Sequence, residues 1–354
     1  MGTNQDWLDR VRETALEPAL KIVDPHHHLW DFGPPPAPTG EGGGVDLARA
    51  FRESRYLLEE LIVDTLSGHD IVATVFVECT AFYRPDADDP LQMVGETEFV
   101  TGQAAMAASG RYGPTRACAG IVGRADLALG GAVDDVLAAH VDAGNGRFRG
   151  IRHAVSWDAS DKVRNGHTNP PPGLLADARF REGFARLAAH DLSFDAWLYH
   201  PQIDELTDLA RAFPETAIVL DHVGGPLGIG PYAGRRDEIF PVWRRSIEAL
   251  AACPNVTVKL GGLAMPLCGF NFHKQDNPPD SALLAEAWKP YLDVCIEAFG
   301  PQRAMFESNF PVDKASCSYG VLWNAFKRHA AGYSDDEKRA LFHDTAARVY
   351  RLDL

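Results

Sequence analysis

The chain has 354 residues, 45% hydrophobic and 23% charged, with a formal net charge of −15. That balance is globular, and the acidic excess argues against a nucleic-acid partner, because no Lys/Arg cluster offsets it. No apolar run reaches the roughly 18 residues a membrane span needs, and Met1–Trp7 has no apolar signal core, so no membrane association is expected. The six cysteines (79, 118, 253, 268, 295 and 317) show no CxxC spacing. They read as buried thiols in a reducing compartment, with the cytoplasm as the expected location.

Residues 1–20 are expected to form an N-terminal extension. The first predicted strand, Ile22–His28, begins apolar and is then interrupted by three histidines. Alternate side chains of a strand share a face, so His26 and His28 point one way and His27 the other. Two imidazoles so placed can hold a divalent metal or one substrate oxygen.

Seven more β-rich runs follow: Ile71–Glu78, Cys118–Arg124, Arg149–Val155, Leu192–His200, Thr216–His222, Asn255–Gly261 and Arg303–Asn309. Helical periodicity fills the gaps at Tyr56–Gly68, Glu96–Gly110, Val133–Gly144, Phe180–Asp191, Asp204–Phe213, Val242–Cys253 and Ala282–Phe299. Such alternation implies parallel strands joined by helical crossovers, and eight units suit one (β/α)8 barrel domain over residues 1–354. A doubly wound open sheet is the alternative, but no GxGxxG follows the first strand. Ser334-Asp335-Asp336-Glu337 is a capping box that opens a final packing helix over 334–354.

Pro/Gly-rich loops follow the first, fourth, sixth and seventh strands, at Phe32–Val45, Ser156–Gly173, Gly224–Gly234 and Gly262–Pro279. Barrel enzymes build their sites at these strand ends. The ends are polar: His26 and His28, Glu78, Arg152-His153, His200, Asp221-His222, and Glu307-Ser308-Asn309, with Lys259 on the seventh strand. Arg152 can grip a substrate carboxylate through two hydrogen bonds or form a core ion pair with Glu78. Tyr83 and Arg84 follow Glu78 toward the same mouth, and His273 sits in an aromatic and cationic loop, Phe270–Lys274, that could cover it. His167 and Arg235–Arg236 are looser candidates for substrate contact.

The segments VDPHHHLWD, GIRH, VLDHVGGP, VKLGGLAM and MFESNFPVD resemble the amidohydrolase superfamily, in particular its branch of TIM-barrel hydrolases containing sugar lactonases and the pyrone-dicarboxylate lactonase. The resemblance runs from about Lys21 to the C-terminus. It implies a (β/α)8 barrel and hydrolysis of a cyclic ester, although some relatives decarboxylate aromatic acids. It also implies that His26 and His28 are the strand-1 pair that holds a divalent ion, or in metal-free members the substrate carbonyl. His222 matches the histidine aimed at the reacting group, and His200 falls where metal-binding members place a ligand. One divalent ion, zinc by preference, is therefore implied, with a metal-free mechanism left open.

Strand 8 departs from the family's Ser-Asp: this chain has Ser308-Asn309, and an amide cannot accept a proton. Glu78, Glu307 or Asp313 would then have to replace the missing base. The expected function is hydrolysis of a lactone or related cyclic ester, with a small, cyclic or carboxylated substrate; self-association into a homo-oligomer is left open. The alternatives are a metal-dependent decarboxylase of an aromatic acid and a degenerate barrel that only binds.

Overall fold

The computed structural model describes residues 4–33, 55–86 and 88–354, so most of the Phe32–Val45 loop lies outside the described residues. Eight strands form one parallel sheet in chain order: β1 (Lys21–His27), β2 (Asp70–Val77), β3 (Arg116–Gly123), β4 (Phe148–Arg152), β5 (Ser193–Ala196), β6 (Ile218–Leu220), β7 (Val256–Leu260) and β8 (Ala304–Phe306). A parallel bridge between His27 and Phe310 joins the last strand to the first, with His28 N donating to Phe310 O at 2.8 Å and Asn309 N to His26 O at 2.9 Å. Each strand is followed by a helix: α1 (Leu58–Thr65), α2 (Val94–Ala108), α3 (Val133–Ala143), α4 (Ala178–Phe184), α5 (Ile203–Ala212), α6 (Arg236–Ala251), α7 (Ser281–Phe299) and α8 (Tyr319–His329). The architecture is the expected (β/α)8 barrel.

Several boundaries differ from expectation. Helix α6 starts before Pro241 rather than after it. The proline is solvent-exposed, so the hydrogen bond it cannot donate is lost only on the wet side. Strands 5, 6 and 8 end earlier than their apolar runs, which leaves His200, His222 and Asn309 in turns just beyond the sheet. His222 and Asn309 take φ of +56° and +54° there, a conformation non-glycine residues hold only when their surroundings impose it.

The barrel interior is layered. Its lower half is apolar, with Val23, Ala73, Val75, Val122, Val219 and Met305 in one cluster. The C-terminal segment closes that end. Ser334 Oγ accepts from Glu337 N and the Glu337 carboxylate accepts from Ser334 N, as a capping box should. Asp335–Arg339, a π turn at Ala340–Asp344 and Thr345–Val349 follow. Ala346 and Tyr350 complete the apolar cluster.

Candidate active site

A register shift between Asp24 and His27 sets the phase of the histidine run. His26 and His28 face inward with ring centroids 5.0 Å apart. His27 faces the helical layer, where its Nε2 lies 2.8 Å from the Thr74 hydroxyl. Asp24 accepts from Ser308 Oγ at 2.6 Å and Tyr319 Oη at 2.9 Å, which ties the ends of β1 and β8 together.

Above the apolar layer lies a buried layer of charge. Tyr350 Oη donates to Asp195 Oδ2 at 2.6 Å, and Lys259 Nζ donates to the same oxygen at 2.7 Å. Lys259 Nζ also lies 3.0 Å from Asp221 Oδ1 and 3.1 Å from His26 Nδ1. His26 Nδ1 is 2.8 Å from Glu307 Oε2, and His222 Nδ1 is 2.7 Å from Glu307 Oε1. Burial raises the Glu307 carboxyl, but His222 and then His26 outweigh it and bring its pKa down to about 2. Burial pushes His222 below the usual imidazole range, against the opposing pull of Glu307. His222 is therefore neutral near pH 7, and its Glu307 contact places the proton on Nδ1. The Nε2 lone pair is left to face outward.

Two glycines make this geometry fit. A Cβ on Gly261 would lie 2.4 Å from Glu307 Cγ, and one on Gly262 would lie 2.5 Å from His222 Cβ. Only glycine lets the β7 loop pass so close to both side chains.

Over this layer opens a cavity of about 330 Å³ at the C-terminal mouth. His28, Arg152, His167, His222 and Asn309 are among its polar lining residues, with Thr80, Arg164 and Asn165. His28 Nδ1 is 2.8 Å from the Val77 carbonyl. Burial first, then His26 and Arg152, hold His28 well below the usual range. It too is neutral, with Nε2 unprotonated.

Arg152 Nε donates to Glu78 Oε1 at 2.7 Å, and Arg152 Nη1 lies 3.3 Å from His26 Nε2. Glu78 also meets His167 Nε2 at 3.1 Å. Burial raises the Glu78 carboxyl, yet His167 and Arg152 drive it far below the usual range. Glu78 is thus the counter-ion of Arg152. As an acid this strongly held, it is a poor proton acceptor.

Other expected residues lie elsewhere. His200 is outside the cavity: its Nδ1 accepts from Leu227 N at 3.2 Å and its ring packs on Tyr232, so it braces the β6 loop rather than joining the histidine group. Tyr83 and His273 do not line the cavity either. The Tyr83 hydroxyl is turned inward beside Glu96, Glu78 and Arg124, and His273 sits on the Phe272–Lys274 turn. Asn309 lines the cavity, but its Nδ2 donates to Asp313 Oδ1 at 2.9 Å. Asp313 lies beneath, where burial pushes its carboxyl well above the usual range.

The Lys259–Asp195 pair and the cavity residues Trp197 and Arg164 carried no expected role. Inward alternation along β5 and β7 selects Asp195, Trp197 and Lys259. No periodicity in the β4 loop points to Arg164.

His26, His222 and Glu307 bring one ligand atom each within 4.8 Å of one another. Two imidazoles and a carboxylate have the donor chemistry of a zinc site, so the residues fit a divalent ion by type. The set differs from the expected His26, His28 and His200. Lys259 and Arg152 already face the two ring nitrogens of His26, so an ion there would compete with two cations.

The amidohydrolase family model matches residues 23–352. The chain is 34% identical over 345 residues to the uncharacterized protein y4mH of Sinorhizobium fredii, covering 94% of this chain and 99% of that one. It is 28% identical over 337 residues to an L-fucono-1,5-lactonase of Burkholderia multivorans, covering 94% and 97%. A crystal structure of a Burkholderia multivorans amidohydrolase with bound zinc superposes with a TM-score of 0.67 at 26% identity, covering 94% of this chain and 99% of that one. The chain belongs to the amidohydrolase family.

Proposed function

We propose that this chain is an enzyme that hydrolyses a lactone or related cyclic ester, with His222 as the base and Glu307 as the group that orients it. The observation that carries the reading is the 2.7 Å contact between His222 Nδ1 and Glu307 Oε1 at the floor of the cavity. Similarity to proteins named L-fucono-1,5-lactonase and L-rhamnono-gamma-lactonase supports the same chemistry.

His222 Nε2 takes a proton from water as the water oxygen attacks the ring carbonyl. Glu307 keeps the imidazole in the right tautomer and stabilises the imidazolium that forms. His28 Nε2 accepts the water's second hydrogen and aims its lone pair. Arg152 supplies positive charge toward the developing oxyanion, and its own charge is fixed by Glu78. When the tetrahedral intermediate collapses, the imidazolium of His222 returns its proton to the ring oxygen, which leaves as an alcohol. Asn309 therefore needs no carboxylate, because the base sits on β6 rather than β8. A divalent ion held by His26, His222 and Glu307 would supply Lewis-acid polarisation in place of the His222–Glu307 base pair.

We read the chain as a single barrel domain. The six cysteines are free thiols, which supports the cytoplasm as its location; no described helix is long and apolar enough to cross a membrane. The test is hydrolysis of a lactone panel followed by acid release. His222→Ala should lose roughly 100-fold or more in kcat while remaining folded by circular dichroism. A folded variant with near-normal turnover would remove His222 from the chemistry.

A further inference from the structure

Among the described residues the greater part of the cavity lining is apolar. Its walls are Trp30, Val163, Trp197, Ile229, Met265 and Leu267. The polar side chains among the described lining residues are each partly engaged with the protein itself, Arg164 apart. The Thr80 hydroxyl donates to Cys79 O at 2.6 Å, and Asn165 Oδ1 accepts from Asp158 N at 2.9 Å. Asn309 Nδ2 is held by Asp313, and His167 and Arg152 by Glu78. A sugar lactone carries several ring hydroxyls, each of which gives up water on entry and needs a partner in return. Among the described residues this leaves Asn165 Nδ2, Asn309 Oδ1 and His167 Nδ1, set among apolar walls, beside the two imidazole nitrogens that the reaction itself uses.

Arg164 is the charged lining residue that no acid offsets among the described residues. It lines the cavity at the exposed rim, and among the described residues its guanidinium makes no ion pair or hydrogen bond. The backbone beneath it is anchored, because the Tyr199 hydroxyl donates to the Arg164 carbonyl. In a chain of net charge −15, an anionic ligand is repelled overall and gains most from a local cation without an acid partner.

We infer that this site takes a cyclic ester with an apolar or aromatic body and one carboxylate held by Arg164, and not a polyhydroxylated sugar lactone. This inference rests on the lactone-hydrolase reading for the reaction. It rests on the cavity walls and Arg164 for the substrate.

The test uses the full chain and three lactones: a carboxylated dihydrocoumarin, dihydrocoumarin itself and L-fucono-1,5-lactone. The carboxylated compound should exceed dihydrocoumarin in kcat/KM by about 10- to 100-fold, the range of a charge-assisted pair. It should exceed the sugar lactone by at least as much. Arg164→Gln should collapse the advantage of the carboxylate, chiefly through KM. Preference for L-fucono-1,5-lactone, or an undiminished carboxylate advantage in Arg164→Gln, would overturn the inference.

Calorimetric binding of the ring-opened products separates the two claims. If no lactone turns over, the hydrolase reading falls, and the substrate class is still decided by which product binds. Tighter binding of the carboxylated phenolic acid than of L-fuconate, lost in Arg164→Gln, supports the class. The reverse order overturns it.

Discussion

His222 and Glu307 meet twice: Glu307 Oε1 lies 2.7 Å from the ring Nδ1 and accepts from the backbone N of His222 at 3.1 Å. The double contact holds a residue with positive φ in place while fixing its tautomer. Glu307→Gln keeps the size of the side chain but removes its charge, so the imidazolium formed during turnover loses its counter-ion. We expect kcat to fall by roughly 100-fold or more. The acid limb of the pH–rate profile should move to lower pH, because Glu307 is the main group raising the His222 pKa against burial. An unchanged profile in a folded variant would show that Glu307 does not act through His222.

Much of this geometry was legible in the strand ends. Alternation put His26 and His28 on one face, and the apolar-to-polar change at Asp221-His222 put His222 at the mouth. Tertiary contacts were less accessible. Glu78 and Arg152 are 74 residues apart in the chain, and nothing local distinguishes a substrate anchor from an ion pair. His200 follows the strand-5 end where the resemblance implies a metal ligand, but the β5 strand stops at Ala196 and His200 does not line the cavity. Arg164 lies in a loop with no period, where neither direction nor partner can be read.

Stability should fall on both sides of neutrality, for opposite reasons. Glu78 is depressed in the folded state, with His167 and Arg152 outweighing burial, so its contribution is present above about pH 4.5 and is lost as pH falls. Glu96 is raised to about 8 by burial and then by Glu78, so its contribution is present below about pH 4.5 and is lost as pH rises through about 8. Urea midpoints across pH should show Glu78→Gln flattening the acid side and Glu96→Gln the alkaline side. Glu78→Ala should cost about 3–5 kcal/mol at neutral pH, because it strands the buried Arg152 charge. A midpoint unchanged in Glu78→Ala would mean that water or Asp221 already serves Arg152.

A metal and the proposed base draw on the same residues. An ion on His26, His222 and Glu307 would compete with the His222–Glu307 contact that orients the proposed base. We therefore expect chelator-treated protein to keep its turnover and added zinc to slow it, with inhibition weakened in Glu307→Gln. Loss of activity on chelation, restored by zinc, would reverse this order and make the ion the source of hydroxide.

The β8 carboxylate of the family pattern has a counterpart one turn further on. Asn309 Nδ2 donates to Asp313 Oδ1 at 2.9 Å, and Asp313 also accepts from Ala264 N at 3.3 Å. Burial already holds Asp313 well above the usual carboxylate range. Asn309→Asp would place a second carboxyl against the first, so the pair would have to share a proton. It should destabilise the protein by about 1–3 kcal/mol at pH 8, and less at pH 5 where a proton is available. The exchange Asn309→Asp with Asp313→Asn keeps one donor and one acceptor in the same contact and should recover most of the loss. It also places a negative charge at the cavity beside His222, which favours the imidazolium and should move the acid limb of turnover to higher pH. Equal instability of the single and exchanged variants would show that the amide is needed at position 309 for a reason other than its bond to Asp313.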